Sequence, residues 1–187
     1  MLLSINRFER KKGLPLALRC FAELQSRQTR LHLVLAGGFD SRLAENVEHL
    51  AELRAEARQL GLEEHITFLP SFADGAKVAL LAAATVLLYT PEQEHFGMVP
   101  LEAMAAGRPV VACASGGPLE SIVHGVTGAL CEPTPAAFAA ACRRLLDDPA
   151  AAEAAGRAAR RHVEDNFSRT AFGAQLDQIV RELAACE

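Results

Sequence analysis

The sequence predicts a doubly wound α/β domain: a Rossmann-like parallel sheet of about six strands, helices on both faces, and a helical C-terminal tail. Three observations predict it. Short apolar runs recur along the chain, each closed by Gly, Pro, Ser or a charge. The runs are continuous rather than alternating, as in strands buried on both faces. Between them lie longer stretches with apolar residues at helical spacing.

The elements follow in order. LLSINRF from Leu2 is the first strand, and ERKKGL turns it into a helix. LHLVLAGG from Leu31 is the second. In SRLAENVEHLAELRAEARQLG, Leu43, Val47, Leu50, Leu53, Ala57 and Leu60 recur at intervals of three and four, and Gly61 stops the helix. HITFLP from His65 is the third strand. VALLAAATVLLYT from Val78 is too short to span a bilayer and reads as a helix end followed by the fourth strand, TVLLYTP. RPVVACAS from Arg108 is the fifth strand, and VTGALCEP from Val126 a weaker sixth. A helix from about Pro135 to Asp147 precedes an all-helical tail over 149–187. In its last helix Ser168 is a candidate N-cap, and Phe172, Leu176, Ile179, Val180 and Leu183 form one apolar stripe. No linker or internal repeat divides residues 1–187, so the chain reads as a single domain.

Composition excludes several classes. Half of the 187 residues are apolar and 22% are charged, the profile of a soluble globular chain. A net charge of −4 argues against a broad nucleic-acid surface, which calls for a basic excess. The five cysteines (Cys20, Cys113, Cys131, Cys142 and Cys186) have no metal-ligand spacing and read as reduced thiols of a cytosolic protein. MLLSINRFERKK places its charges after its apolar residues, the reverse of a secretory leader, and no transmembrane segment is expected. Asp147–Asp148, before Pro149, reads as a solvated helix end rather than a metal pair, and no metal site is expected. His32, His49, His65, His124 and His162 stand alone and read as structural or surface residues. His95 stands apart because of its neighbours.

In sheets of this kind ligands bind beyond the carboxyl ends of the strands, where the strand order reverses. With the order 3-2-1-4-5-6 that crevice lies between the first and fourth strands. Arg7 and Lys12 follow the first, and a guanidinium with an ammonium suits a diphosphate. EQEHFGMVPLE follows the fourth. Its turn, His95 to Met98, precedes a helix beginning near Val99 with Pro100 in its first turn, so exposed N–H groups there would attract an anion. Gly97 allows close approach of a ligand. Glu102 is expected in the first turn, where a carboxylate is favourable in any case. Glu94 has no such explanation: a carboxylate beside an anion site needs hydroxyls to accept from, as a nucleotide sugar supplies. Gly37 and Gly38 close the second strand, and SGGP (Ser115 to Pro118) closes the fifth. Whether Gly116 and Gly117 do more than make that turn stays open.

Glu94 and Glu102 with seven residues between them, the pair Arg7 and Lys12, and GGPLE at Gly116 to Glu120 together resemble the nucleotide-sugar half of retaining GT-B glycosyltransferases of the GT4 group. SINRFERKKGLPLAL, HLVLAGGFDSRLAENVEHLAEL, the long stretch from Val86 to Pro133, and NFSRTAF resemble in particular the α-1,3/1,6-mannosyltransferases of dolichol-linked oligosaccharide assembly. Gln93 stands where that pattern has Asn. The resemblance implies roles residue by residue. Arg7 and Lys12 hold the donor diphosphate without a metal or other cofactor. Glu94 takes the donor sugar hydroxyls. The backbone of Phe96, Gly97, Met98 and Val99 cradles sugar and phosphate, Glu102 takes the ribose, Gly37 and Gly38 form the floor, and Pro70 to Phe72 border the base. The implied donor is GDP-mannose and the implied acceptor a dolichol-diphosphate oligosaccharide at the cytosolic face of the endoplasmic reticulum. It would be held through an N-terminal half this chain lacks, against which the tail 149–187 would pack. The alternative is a nucleotide-sugar-binding unit without catalysis. A Rossmann oxidoreductase fails at the first turn, where NRFERKKG replaces GxGxxG.

Overall fold

The computed structural model describes residues 1–25 and 31–185. Cys186 lies outside them; Cys20, Cys113, Cys131 and Cys142 are free thiols. The six strands are β1 (Leu2–Ile5), β2 (Leu33–Gly37), β3 (Ile66–Pro70), β4 (Val86–Tyr89), β5 (Val110–Cys113) and β6 (Gly128–Cys131). They form one parallel sheet in the order β3-β2-β1-β4-β5-β6. The chain crosses from the β1–β3 half to the β4–β6 half between β1 and β4, at the expected switch point.

The helices are α1 (Leu14–Gln25), α2 (Ala44–Gln59), α3 (Asp74–Ala83), α4 (Met98–Ala105), α5 (Pro118–Ser121), α6 (Pro135–Asp147), α7 (Pro149–Asn166) and α8 (Arg169–Ala184). Alternation along each strand divides the core into two layers. Leu2, Leu33, Leu35, Val86, Leu88 and Val111 face α1, α2 and α6, with Phe8, Phe21 and Phe138 buried among them. Leu3, Val34, Ala36, Leu87, Val110 and Ala112 face α3, α4 and α7. Each fully buried side chain of this size is worth about 1.5–3 kcal/mol, which is why runs with no polar position are tolerated only in a sheet covered twice.

Local signals set the helix boundaries. The Thr134, Asp148 and Ser168 side chains accept from the amides of Ala137, Ala151 and Ala171, capping α6, α7 and α8. Asp148 is therefore an N-cap. The phase of α2 differs from expectation. Leu50, Leu53 and Ala57 are buried, but Leu43, Val47 and Leu60 are 53%, 45% and 40% exposed. Leu43 and Leu60 fall outside the helix. The buried stripe continues through Asn46, whose Oδ1 accepts from the Asp40 amide, and His49 rather than through Val47. Of the tail, α7 packs on this domain through Ala159 and Val163, with Phe167 at its C-cap. The stripe of α8 is exposed along its whole length, from 48% at Leu176 to 67% at Leu183.

Candidate functional site

Beyond the carboxyl ends of β1 to β4 opens a cavity of about 720 Å³. Its walls come from each strand end in turn: Asn6 and Arg7 after β1, Gly37 and Gly38 at β2, Ser71 and Phe72 after β3, and Tyr89 at β4. Lys12, Lys77, Glu94, Gly97, Met98 and Val99 complete it.

Lys12 is placed by a short 3-10 turn, Arg10–Lys12, which ends at Gly13 in the left-handed region. The Thr90 hydroxyl donates to the Lys12 carbonyl at 2.7 Å, tying this turn to the end of β4. The rest of the basic run divides. Arg10 turns away to Glu48 and Glu52 on α2, and Lys11 pairs with Glu9. Arg7 keeps to the cavity with a 2.7 Å bond to Glu9.

Lys12 reaches across the switch point and donates to Glu94, in an ion pair sheltered from solvent (side chains 12% and 23% exposed). Lys12, and secondarily the Tyr89 hydroxyl, hold the Glu94 carboxyl below the usual carboxylate range against the opposing effect of its burial. Burial, with Glu94 second, pushes the Tyr89 phenol up. Glu94 is therefore an acceptor-only carboxylate, held by a cation and a phenol.

The loop that carries Glu94 is braced from β5. The Gln93 amide donates to Ser115 Oγ and the Gly117 amide to the Glu94 carbonyl. A Cβ at Gly116 would collide with the backbone of Glu94, and one at Gly117 with that of Phe96. The two glycines are therefore the space into which the acidic loop fits, beyond making the turn. Gly97, at φ 81°, turns the loop into α4 and sits against the Tyr89 hydroxyl, where a Cβ would come within 2.9 Å. No side chain caps α4. Its first N–H groups and the positive end of its dipole meet the cavity at Gly97, Met98 and Val99, a setting that favours an anion.

Two expected site residues sit differently. The Phe96 ring is outside the cavity, tilted against Phe167 with centroids 6.1 Å apart, and its backbone abuts Gly117. Glu102 lies in the second turn of α4 rather than the first, because the helix starts at Met98. Glu102 meets the cavity through Lys77 of α3, whose ammonium is 2.5 Å from its carboxylate. Lys77 and Tyr89 were not singled out from sequence; a lysine near a helix start and a tyrosine ending an apolar strand carry no pattern of their own. His95 is exposed outside the lining. No helix among the described residues is long and apolar enough to cross a membrane.

Residues 1–162 match the family model for glycosyl transferases group 1. The human alpha-1,3/1,6-mannosyltransferase ALG2 is 50% identical over 188 residues, which are 98% of this chain and 45% of that protein. The chain thus spans a little under half the length of the curated relatives it matches. Among solved structures, sucrose-phosphate synthase from Thermosynechococcus elongatus superposes with a TM-score of 0.86 at 30% identity, over 100% of this chain and 46% of that one. Anabaena HepE, solved with UDP-glucose, superposes with a TM-score of 0.84 at 26% identity, over 97% of this chain and 48% of its own. With a group 1 model matched over most of its length and a switch-point cavity lined by cations and a carboxylate, this chain belongs to the glycosyl transferases group 1 family.

Proposed function

We propose that this chain is the donor-binding half of a retaining glycosyltransferase that moves mannose from GDP-mannose to a dolichol-diphosphate-linked oligosaccharide, in N-glycan precursor assembly on the cytosolic side of the endoplasmic reticulum. The observation that carries the reading is the Lys12–Glu94 pair, at the bare tip of α4 and inside the switch-point cavity. The names of the curated relatives support mannose transfer, and the nucleotide sugar held by HepE supports the donor class.

The chemistry follows from where charge develops. As the bond from the anomeric carbon to the diphosphate oxygen breaks, negative charge grows on the leaving diphosphate. Arg7, Lys12 and the first N–H groups of α4 receive it, and such contacts lower the barrier because they strengthen in the transition state. These cations do the work elsewhere given to a metal, so the transfer requires none. Glu94, giving up Lys12 to the phosphates, accepts from the sugar hydroxyls, and Glu102 accepts from the ribose. Gly37 and Gly38 keep the floor low. The acceptor is held by the other half of a longer protein, and the apolar stripe of α8 packs against that half.

Calorimetry on the purified chain tests the reading. GDP binds more tightly than UDP, the affinity is unchanged by a chelator, and Arg7→Ala weakens it by about tenfold or more, as expected for a lost charge-assisted bond. Absence of nucleoside diphosphate binding would overturn the assignment, and equal affinity for GDP and UDP would overturn the choice of base.

A further inference from the structure

Phe96 stands between Glu94 and Gly97, the N-cap of α4, so its place in space bears on the carboxylate of the Lys12 pair. Its backbone rests on Gly117, while its ring, 37% exposed, turns out of the cavity and tilts against Phe167. Phe167 is itself well fixed. Its amide donates to the Val163 carbonyl at 2.9 Å, the His162 ring meets it edge-on with centroids 5.5 Å apart, and it packs against the core layer that includes α4. Ser168 follows at once and caps α8, which puts this ring at the elbow where the chain leaves α7. The loop it touches is under strain, because Gln93 has φ 53°, in the left-handed region that a residue with a side chain adopts at a cost. A strained loop keeps its course only while its anchors hold. From β5 the anchors are Ser115 on the Gln93 amide and the Gly117 amide on the Glu94 carbonyl; from the tail the anchor is Phe167.

Resting on the donor-site reading, we infer that Phe167 is a positioning residue for the donor sugar: by holding the Phe96 ring it keeps the strained loop in place, so that the sugar hydroxyls meet a Glu94 carboxylate already set. In the empty site Lys12 also steadies that carboxylate. Once Lys12 turns to the phosphates, the firmness of the loop decides where Glu94 stays. The sugar subsite is thus built in part by the tail, from a ring outside the cavity. Without that ring the loop loosens, and the cost of fixing Glu94 falls on the sugar. The diphosphate keeps its hold, because the Lys12 carbonyl is tied to Thr90 and α4 is seated by buried Pro100, Leu101 and Met104. Removing a ring also pushes nothing toward the α4 tip.

The test is calorimetry on the full chain with GDP-mannose and GDP as probes, beside a thermal melt. The ratio of the two dissociation constants isolates the sugar. In Phe167→Ala, GDP-mannose weakens by about fivefold, the cost of immobilising one side chain, while GDP moves by less than about twofold. Phe96→Ala, which removes a surface ring and carries the same test should Phe167→Ala fail to fold, gives the same selective loss. The double variant loses no more than either single one, because both remove one shared contact. If Phe167 only supported the fold, both probes would weaken together. That result, an unchanged ratio, or losses that add in the double variant overturns the inference and leaves the donor reading standing. A parent chain that binds neither probe overturns both.

Discussion

Glu94 is the residue at which charge, geometry and function are most tightly joined. Its carboxyl is held below the ordinary range by Lys12 first and Tyr89 after it, with exposed His95 contributing at longer range. A carboxyl with a depressed folded-state pKa lends stability that is complete above its unfolded value, about 4.3, and is lost as pH falls through the lower folded value. Thermal unfolding of the parent and Glu94→Gln, compared from pH 7 downward, is expected to show the parent more stable at neutral pH. The gap closes only once the pH has dropped below about 4; a gap independent of pH would mean that Glu94 contributes by packing alone. In a protein that carries both halves, Lys12→Ala lowers turnover by on the order of 10²–10³, and Glu94→Gln is more harmful than Glu102→Gln. Turnover within about threefold of the parent for Lys12→Ala and Glu94→Gln would remove both from the machinery. Arg7, Lys12 and Glu94 were legible in the sequence because each combines a charge with a place at the end of a switch-point strand. Lys77 was not, since its relevance depends on how α3 leans toward α4, and no local pattern encodes that.

Among the elements, the brace between the β5–α5 turn and the acidic loop governs the site. Gly117 has φ −55°, which any residue adopts, so alanine there is excluded by space alone. Gly117→Ala forces the Phe96 backbone outward, at an overpacking cost of about 1–3 kcal/mol. Nucleoside diphosphate affinity is expected to fall by at least about tenfold while the sheet stays folded. Unchanged affinity, measured by calorimetry beside a thermal melt, would show that the loop does not need its seat. The strands were legible because a doubly covered sheet tolerates no polar interruption, and Ser168 because capping is a local hydrogen bond. The phase of α2 and the turn occupied by Glu102 were not. Asn46 and His49 are buried by tertiary contacts that single-sequence periodicity ignores, and a helix that starts one residue early moves every later residue around the barrel of the turn.

For the molecule as a whole, the unresolved balance is on α8. Phe172, Ile179 and Val180 are 66%, 53% and 54% exposed in one line with Leu176 and Leu183, a row that a folded chain ordinarily covers. The isolated chain is expected to bind a hydrophobic dye and to self-associate in sedimentation, and Leu176→Glu with Ile179→Glu abolishes both without lowering Tm. A strictly monomeric chain that leaves the dye dark would mean the stripe needs no partner. The cavity itself has a different economy. Lys12, Lys77 and Arg7 each already hold a carboxylate. A small oxyanion such as inorganic phosphate could displace Glu94 from Lys12 only by leaving that carboxylate stranded, since it brings no hydroxyl donors to replace the ammonium. A sugar diphosphate, the donor class of the proposed function, would satisfy both partners at once. On the proposed function, internal pairing of the charges would disfavour simple anions and favour molecules that carry a phosphate and a polyol together.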